Sequence, residues 1–171
     1  TSWVDNLGFS DVEVGRIAGA DLGGLAIGAV LSALFVAKYD RRYMAVGAAI
    51  FTIGANLLCI YYQSYDAMLA LRLAAGIGAG VYTGIAIATI GGHSRPAFAF
   101  GLELFAFAGS QGAELALLPY LSIEGVYVAL IVSYVVGLLF ISWLPRRPGD
   151  KTIAIERVEY APRGRPPVEH E

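Results

Sequence analysis

The sequence predicts an all-α, polytopic transmembrane bundle of about five helices, and three observations support this prediction. First, 57% of the 171 residues are apolar and only 15% are charged, whereas an average soluble domain carries roughly 25% charged residues. Second, five long apolar runs follow one another along the chain. Third, the connections between these runs are only a few residues long, so successive helices have to be antiparallel neighbours.

Each apolar run is long enough to cross a bilayer as a helix. About 20 apolar residues, at about 1.5 Å per residue, cross the roughly 30 Å of hydrocarbon. The runs are continuous rather than alternating, which favours helices over the strands of a membrane barrel. The predicted spans are residues 17–37, 43–62, 67–92, 96–121 and 126–144.

Basic residues in the short connections predict the orientation of the bundle. One side holds Lys38, Arg41, Arg42, Arg95, Arg146, Arg147 and Lys151, whereas the connections 63–66 and 122–125 hold none. Because cytoplasmic loops are enriched in Lys and Arg, we expect the basic side to be cytoplasmic, in a bacterial inner membrane. Residues 1–16 then form an extracytoplasmic segment, and the polar residues 145–171 form a flexible cytoplasmic tail or linker that includes the C-terminus.

Composition argues against several classes of function. The net charge of −2 provides no basic excess for phosphates, so no nucleic-acid partner is expected. The single cysteine, Cys59, excludes an internal disulfide or a multi-cysteine metal site. The two histidines, His93 and His170, lie outside the predicted spans, so we expect no metal, no cofactor and no enzymatic centre in the membrane.

Three short segments carry a family resemblance. They read Ala33-Leu-Phe-Val-Ala-Lys-Tyr-Asp-Arg-Arg42, Leu71-Arg-Leu-Ala-Ala-Gly-Ile-Gly-Ala-Gly80 and Arg95-Pro-Ala-Phe-Ala-Phe-Gly101. The first resembles the loop between the second and third helices of the major facilitator superfamily, G-x-L-A-D-R-x-G-R-R. The others resemble its fourth-helix pattern, R-x-x-x-G-x-G-x-G, and the basic start of its fifth helix. In the first segment Ala33 and Asp40 replace glycines and Ala37 replaces the acidic residue, which leaves Asp40 as a substitute carboxylate.

The resemblance covers about residues 8–148 and implies the second to sixth helices of a secondary transporter. It also implies, as partners besides the lipid bilayer, a first helix and a second six-helix half that lie outside this chain. Transporters of this kind work by alternating access to a small-molecule site near the bilayer midplane. The segment containing Lys38, Asp40, Arg41 and Arg42 then corresponds to the cytoplasmic gating loop.

Other classes of function stay open at this stage. One alternative is a small non-catalytic membrane subunit or scaffold that packs on a partner membrane protein. An intramembrane enzyme has weaker support, because the sequence shows no nucleophile–base pair or metal constellation.

Four ionisable side chains inside the spans are candidate substrate or coupling residues, because charges in lipid are costly. They are Asp21, Arg72, Glu103 and Glu114. Counted from the outer ends of their spans, Asp21, Arg72 and Glu114 lie roughly 6, 8 and 10 Å deep, whereas Glu103 is near the other side. We therefore expect Arg72 to pair with Glu114, Asp21 or both, within about 4 Å. A solvated helix end for Asp21, a snorkelling Arg72 and a boundary position for Glu103 are the alternatives.

Glycines form a second pattern in the third span. Gly76, Gly80 and Gly84 recur every four residues and therefore share one helix face, with Gly78 displaced from it. Ordinary close packing of small residues is one interpretation. A seam along which the helix slides during gating is the other.

Overall fold

The structure is a computed structural model that describes residues 8–117 and 120–146, apart from the side chains of residues 111, 114 and 115. The described chain contains five α-helices and no strands, which confirms the predicted all-α class. They are α1 (Asp11–Phe35), α2 (Arg41–Tyr61), α3 (Tyr65–Gly91), α4 (Pro96–Leu117) and α5 (Ile123–Leu139). A one-turn 3₁₀ helix, Ile141–Trp143, follows α5.

The first helix begins at Asp11, well before the predicted span that starts at residue 17. A capping box fixes this start: the Glu13 amide donates to Ser10 Oγ (3.3 Å), and the Ser10 amide donates to the Glu13 carboxylate (2.9 Å). These two bonds satisfy amide groups that the first helical turn leaves without partners. The predicted span follows hydropathy alone, whereas the helix also includes the polar turn that precedes the apolar run.

The second and fifth helices also begin at capping residues. The Asp40 side chain accepts a hydrogen bond from the Arg42 amide (2.9 Å), and Ser122 accepts one from the Gly125 amide (3.1 Å). Asp and Ser are among the residues preferred at this position. The helix starts, and with them the short connections, are therefore encoded locally.

Among the described residues, three helices are long and apolar enough to cross a membrane, namely α1, α2 and α3. The apolar stretch Pro96–Ser110 of α4 and the whole of α5 are shorter. Large apolar side chains such as Leu22, Ile50 and Phe105 are exposed on the outside of the bundle. An outward apolar surface on this scale is typical of a protein that lies in lipid.

The third helix is the centre of the packing. It packs along its length against α1 and on another side against α2, which in turn contacts α5; α4 meets α3 at few positions. One end of the bundle, called here the basic end, carries Lys38, Arg41, Arg42, Arg95 and Arg146. The opposite end holds the turns before α3 and α5.

Candidate functional site: a charge cluster shared by four helices

An ion pair joins α1 to α3 in the interior of the bundle. The Arg72 guanidinium donates through Nη2 to Asp21 Oδ2 at 2.5 Å. The two side chains keep only 16% and 32% of their surface exposed, respectively. Asp21 is one of the two partners that depth counting predicts for Arg72, and the pair lies well within the 4 Å limit.

A second helix supplies a neutral partner for the same guanidinium. Arg72 Nη1 donates to Asn56 Oδ1 of α2 at 3.1 Å. The Asn56 amide nitrogen donates in turn to the Thr52 carbonyl at 2.9 Å, and Asn56 is only 2% exposed. The amide is therefore held in an orientation that presents its oxygen to Arg72.

The fifth helix closes the cluster with an aromatic ring. The Arg72 Cζ atom lies 6.0 Å from the centre of the Tyr127 ring, within the range of a cation–π contact. Tyr127 is 1% exposed, and its hydroxyl donates to Met68 Sδ at an O–S distance of 3.8 Å. Tyr127 therefore packs inward, in the same core as the buried Cys59.

We call Asp21, Asn56, Arg72 and Tyr127 the Arg72 cluster. Tyr127 lies four residues from the start of α5, and Asp21 lies ten from the start of α1. At about 1.5 Å per residue these positions are about 6 and 15 Å from the helix starts at the opposite end. The cluster therefore lies inside the bundle, nearer the opposite end than the basic end.

Close contact between α1 and α3 explains how a short aspartate reaches across. A Cβ atom on Gly76 would overlap the Asp21 carbonyl oxygen and lie 3.1 Å from the Leu25 amide nitrogen. A Cβ atom on Gly24 would overlap the Leu73 carbonyl and lie 2.9 Å from the Ile77 amide. Small residues allow such backbone-to-backbone approach between membrane helices.

The close contact continues along both helices. A Cβ atom on Gly28 would overlap the Ile77 carbonyl, one on Gly80 would overlap the Leu25 carbonyl, and one on Gly84 would lie 2.6 Å from Ser32 Cβ. We call Gly24, Gly28, Gly76, Gly80 and Gly84 the glycine seam. Gly78 lies off the seam, where a Cβ atom would meet α2 at Thr52 Oγ1 and lie 3.1 Å from the Ala48 carbonyl.

The two predicted glutamates are not part of the described cluster. Glu103 is half-buried on α4, and no cation among the described side chains forms an ion pair with it. Glu114 also belongs to α4, but its side chain lies outside the described part of the structure. The predicted pairing of Arg72 with Glu114 therefore stays a prediction.

Residues of the predicted gating loop lie at the basic end, far from the cluster. Arg42 donates through Nε to the Leu144 carbonyl (2.6 Å) and through Nη2 to the Ser142 carbonyl (2.5 Å). The Arg41 amide donates to the Arg146 carbonyl (3.1 Å). Lys38 is exposed, and Asp40 caps α2. The loop is thus bonded to the segment that follows α5.

Sequence reasoning missed two features of this arrangement. The first is the burial of Tyr127. This residue lies one turn inside α5, and its distance from the helix start is the sequence signal that distinguishes it from an aromatic residue at the helix boundary. The Arg42 contacts join residues about 100 positions apart, and no local pattern marks them.

Fold and cluster together define an α-helical integral membrane protein with a charge pair between its helices, a combination found where membrane proteins handle polar solutes or ions. The family model of the Major Facilitator Superfamily matches residues 1–168. The chain belongs to the major facilitator superfamily and is a membrane transport protein of that type. No match was found among curated proteins or among solved structures.

Proposed function

We propose that α1 to α5 are the second to sixth helices of a secondary active transporter that moves a small solute by alternating access. The order of the three motifs along the chain supports this assignment. In such proteins two helical halves rock about a site near the middle of the bilayer. The basic end, in this proposal, faces the cytoplasm of a bacterial inner membrane, since loops rich in Lys and Arg stay on that side.

We propose further that the Asp21–Arg72 pair is the substrate or coupling site of this chain. The observation that carries the proposal is the 2.5 Å contact between opposite charges on α1 and α3. Charged side chains within membrane spans are costly and commonly mark solute or ion pathways. Here the charges pair with each other across a helix interface. When one charge is neutralised or displaced, the other becomes free to bind a solute or an ion.

The chemistry of the two groups suggests how binding and movement are linked. A carboxylate can take up a proton, and a protonated Asp21 no longer neutralises Arg72. The guanidinium has five N–H donors in a planar fork suited to carboxylate or phosphate groups. Proton uptake by Asp21 would therefore release Arg72 to bind an acidic group of a solute, or would weaken the hold of α1 on α3.

The glycine seam supports a role for α1 and α3 in the movement. At Gly24, Gly28, Gly76 and Gly80 its contacts are backbone to backbone, and only Gly84 meets a side chain, the small Ser32, so few side chains interlock across the interface. Helices in contact along such a surface can shift past one another with little repacking, which is the shear type of motion. The charge pair lies at one end of the seam, since Gly76 follows Arg72 by one turn.

The test is a transport screen on cells that express the natural gene encoding this chain. Uptake and efflux of a panel of small solutes are measured with and without a protonophore. We expect one solute to move in a gradient-dependent manner, and Asp21→Asn and Arg72→Gln to slow it about 10- to 100-fold. That range corresponds to losing a hydrogen bond to a charged group, about 1.5–3 kcal/mol.

The matched control is Arg95→Gln, which removes an exposed arginine from the connection between α3 and α4. Membrane levels of all variants are compared by immunoblot. Transport that survives in both Asp21→Asn and Arg72→Gln at the rate of the unmodified protein would rule out the proposed site. Absence of gradient-driven transport for every solute would count against the secondary transporter itself.

A further inference from the structure

A cavity of about 280 Å³ lies at the basic end, between α2, α3 and α5. Its walls include Ala45 of α2, Tyr82 and Ala86 of α3, and Phe140, Trp143 and Leu144 after α5. Ile85, which also lines it, is 13 residues beyond Arg72, which is about 20 Å along α3. The cavity is therefore separate from the Arg72 cluster, and its walls are mostly apolar, with Tyr82 and Thr89 as the residues that carry hydroxyl groups.

Arginines border the cavity at the basic end. The Arg42 guanidinium is hydrogen-bonded to the carbonyls of Ser142 and Leu144, within the segment that forms one wall. Arg146 follows the wall residue Pro145 directly and is exposed. An apolar chamber thus adjoins a positively charged rim.

The third arginine is buried without a full set of partners. Arg41 lies one turn before the wall residue Ala45, on the same face of α2. It is 7% exposed, and its Nε atom makes no hydrogen bond with any described residue. An unsatisfied polar group of a buried cation is costly, so an anion at this position would stabilise the structure.

We propose that the cavity binds an acyl chain of an anionic phospholipid, whose phosphate lies against Arg41 and Arg146. A phospholipid joins an apolar chain to an anionic head, and this pairing matches the apolar walls and the cationic rim. Basic pockets between membrane helices are known sites for anionic headgroups. The position also fits, because Trp143, on the cavity wall, is 82% exposed and tryptophan is enriched at headgroup depth.

Competing occupants match only half of the site. A small water-soluble anion satisfies the arginines but leaves the apolar walls empty. An uncharged lipid fills the walls but leaves the arginine rim without an anion. The volume is just below the roughly 300–1,000 Å³ of ordinary ligand pockets, which suits part of one acyl chain rather than a whole lipid.

Trp143 provides a direct probe of the occupant. The chain has two tryptophans, so Trp3→Phe leaves Trp143 as the only fluorophore of its kind. The whole 171-residue chain with this change is reconstituted into phosphatidylcholine vesicles that contain a small fraction of brominated lipid. Bromine quenches tryptophan on contact, so the quenching reports which lipid occupies the cavity.

We expect brominated phosphatidylglycerol to quench Trp143 at a mole fraction at least about fivefold lower than brominated phosphatidylcholine. Fivefold is the increment for one arginine near an anionic lipid surface. Arg41→Gln and the exposed Arg146→Gln should each reduce this preference, and Arg95→Gln, also at the basic end, should keep it. Ala86→Phe, which fills the cavity, should abolish the preference while circular dichroism shows an intact helical fold.

Three results would overturn the proposal. Equal quenching by the two brominated lipids would show that the anionic head is not recognised. A preference that survives Arg146→Gln and Ala86→Phe would place the anionic lipid elsewhere on the surface. Relief of quenching by millimolar glycerol 3-phosphate would show that the rim binds a soluble anion instead.

Discussion

Arg72 contacts three other helices through a single side chain. Its guanidinium bonds to Asp21 on α1 and to Asn56 on α2, and it lies over the Tyr127 ring on α5. In a medium of low dielectric these contacts are stronger than in water, and an unpaired charge is correspondingly more costly. Arg72 therefore has a structural effect on the bundle as well as its proposed role in transport.

The ion pair should show strong coupling when both charges are removed. We predict that Asp21→Asn and Arg72→Gln each lower the free energy of unfolding by about 1–3 kcal/mol, because each leaves a partner unsatisfied. The double variant should lose less than the sum of the two single losses. The free energy of unfolding is measured in detergent, by heat or denaturant, for the unmodified protein, the two single variants and the double variant. Additive losses would show that the two side chains do not interact.

Tyr127 offers a test of the aromatic contact. Tyr127→Phe keeps the ring beside Arg72 and removes only the hydroxyl contact to Met68, so we expect a loss below about 1 kcal/mol. Tyr127→Ala removes the ring from a buried site and should cost about 3–5 kcal/mol, as other buried aromatic truncations do. The same unfolding assay compares the two variants. Similar losses of unfolding free energy in Tyr127→Phe and Tyr127→Ala would indicate that the hydroxyl, rather than the ring, is the important group.

Depth in the membrane could be predicted from the sequence, but facing could not. Counting residues from the span ends put Asp21 and Arg72 in one layer, and the structure pairs them. The inward facing of Tyr127 depends on how α5 rotates against α2 and α3. Such rotation is set by packing between helices rather than by the local sequence, so the hydropathy of α5 did not reveal it.

Among the elements, α1 and α3 depend most strongly on glycine. Gly23 and Gly24 are neighbours on α1, yet only Gly24 faces α3; a Cβ atom on Gly23 would meet nothing within 4 Å. We predict that Gly24→Ala destabilises the protein by at least about 2 kcal/mol, because it forces the helix backbones apart. Gly23→Ala should be neutral or stabilising by up to about 1 kcal/mol, since alanine favours helix.

Unfolding of the two alanine variants under identical conditions makes this comparison. A tolerated Gly24→Ala, together with unchanged transport, would contradict the close approach of α1 and α3.

The spacing of Gly76, Gly80 and Gly84 was visible in the sequence. The sequence did not show that α1 is the helix that packs against them, because a face of small residues indicates close packing without identifying the partner.

Helix ends illustrate the same division between local and tertiary information. The Ser10…Glu13 capping box lies in the sequence and marks the start of α1, but hydropathy alone placed the span later. The start of α2 at Arg41 likewise follows from its Asp40 cap. These ends were predictable from local chemistry, whereas the scarcity of contacts between α4 and α3 reflects the arrangement of the whole bundle.

For the molecule as a whole, the uneven distribution of basic residues leads to a prediction of topology. Ser64 and Ser94 are exposed in connections at opposite ends of the bundle. We predict that Ser64→Cys is labelled by a membrane-impermeant maleimide in intact cells, and that Ser94→Cys is labelled only after the membrane is opened. The native Cys59 is buried and gives little background.

The unmodified protein and a Cys59→Ser version of each variant serve as controls. Labelling of Ser94→Cys from outside, with Ser64→Cys protected, would invert the orientation. Equal labelling of both positions from outside would contradict a fixed topology across the membrane.

The hydrogen bonds from Arg42 to Ser142 and Leu144, and from the Arg41 amide to Arg146, also have a mechanical consequence. They anchor residues 142–146, which begin within the 3₁₀ helix after α5, to the first turn of α2. If α2 tilts during transport, these hydrogen bonds would carry residues 142–146 along with it. The chain at residues 142–146 therefore has a second point of attachment besides its covalent link to α5.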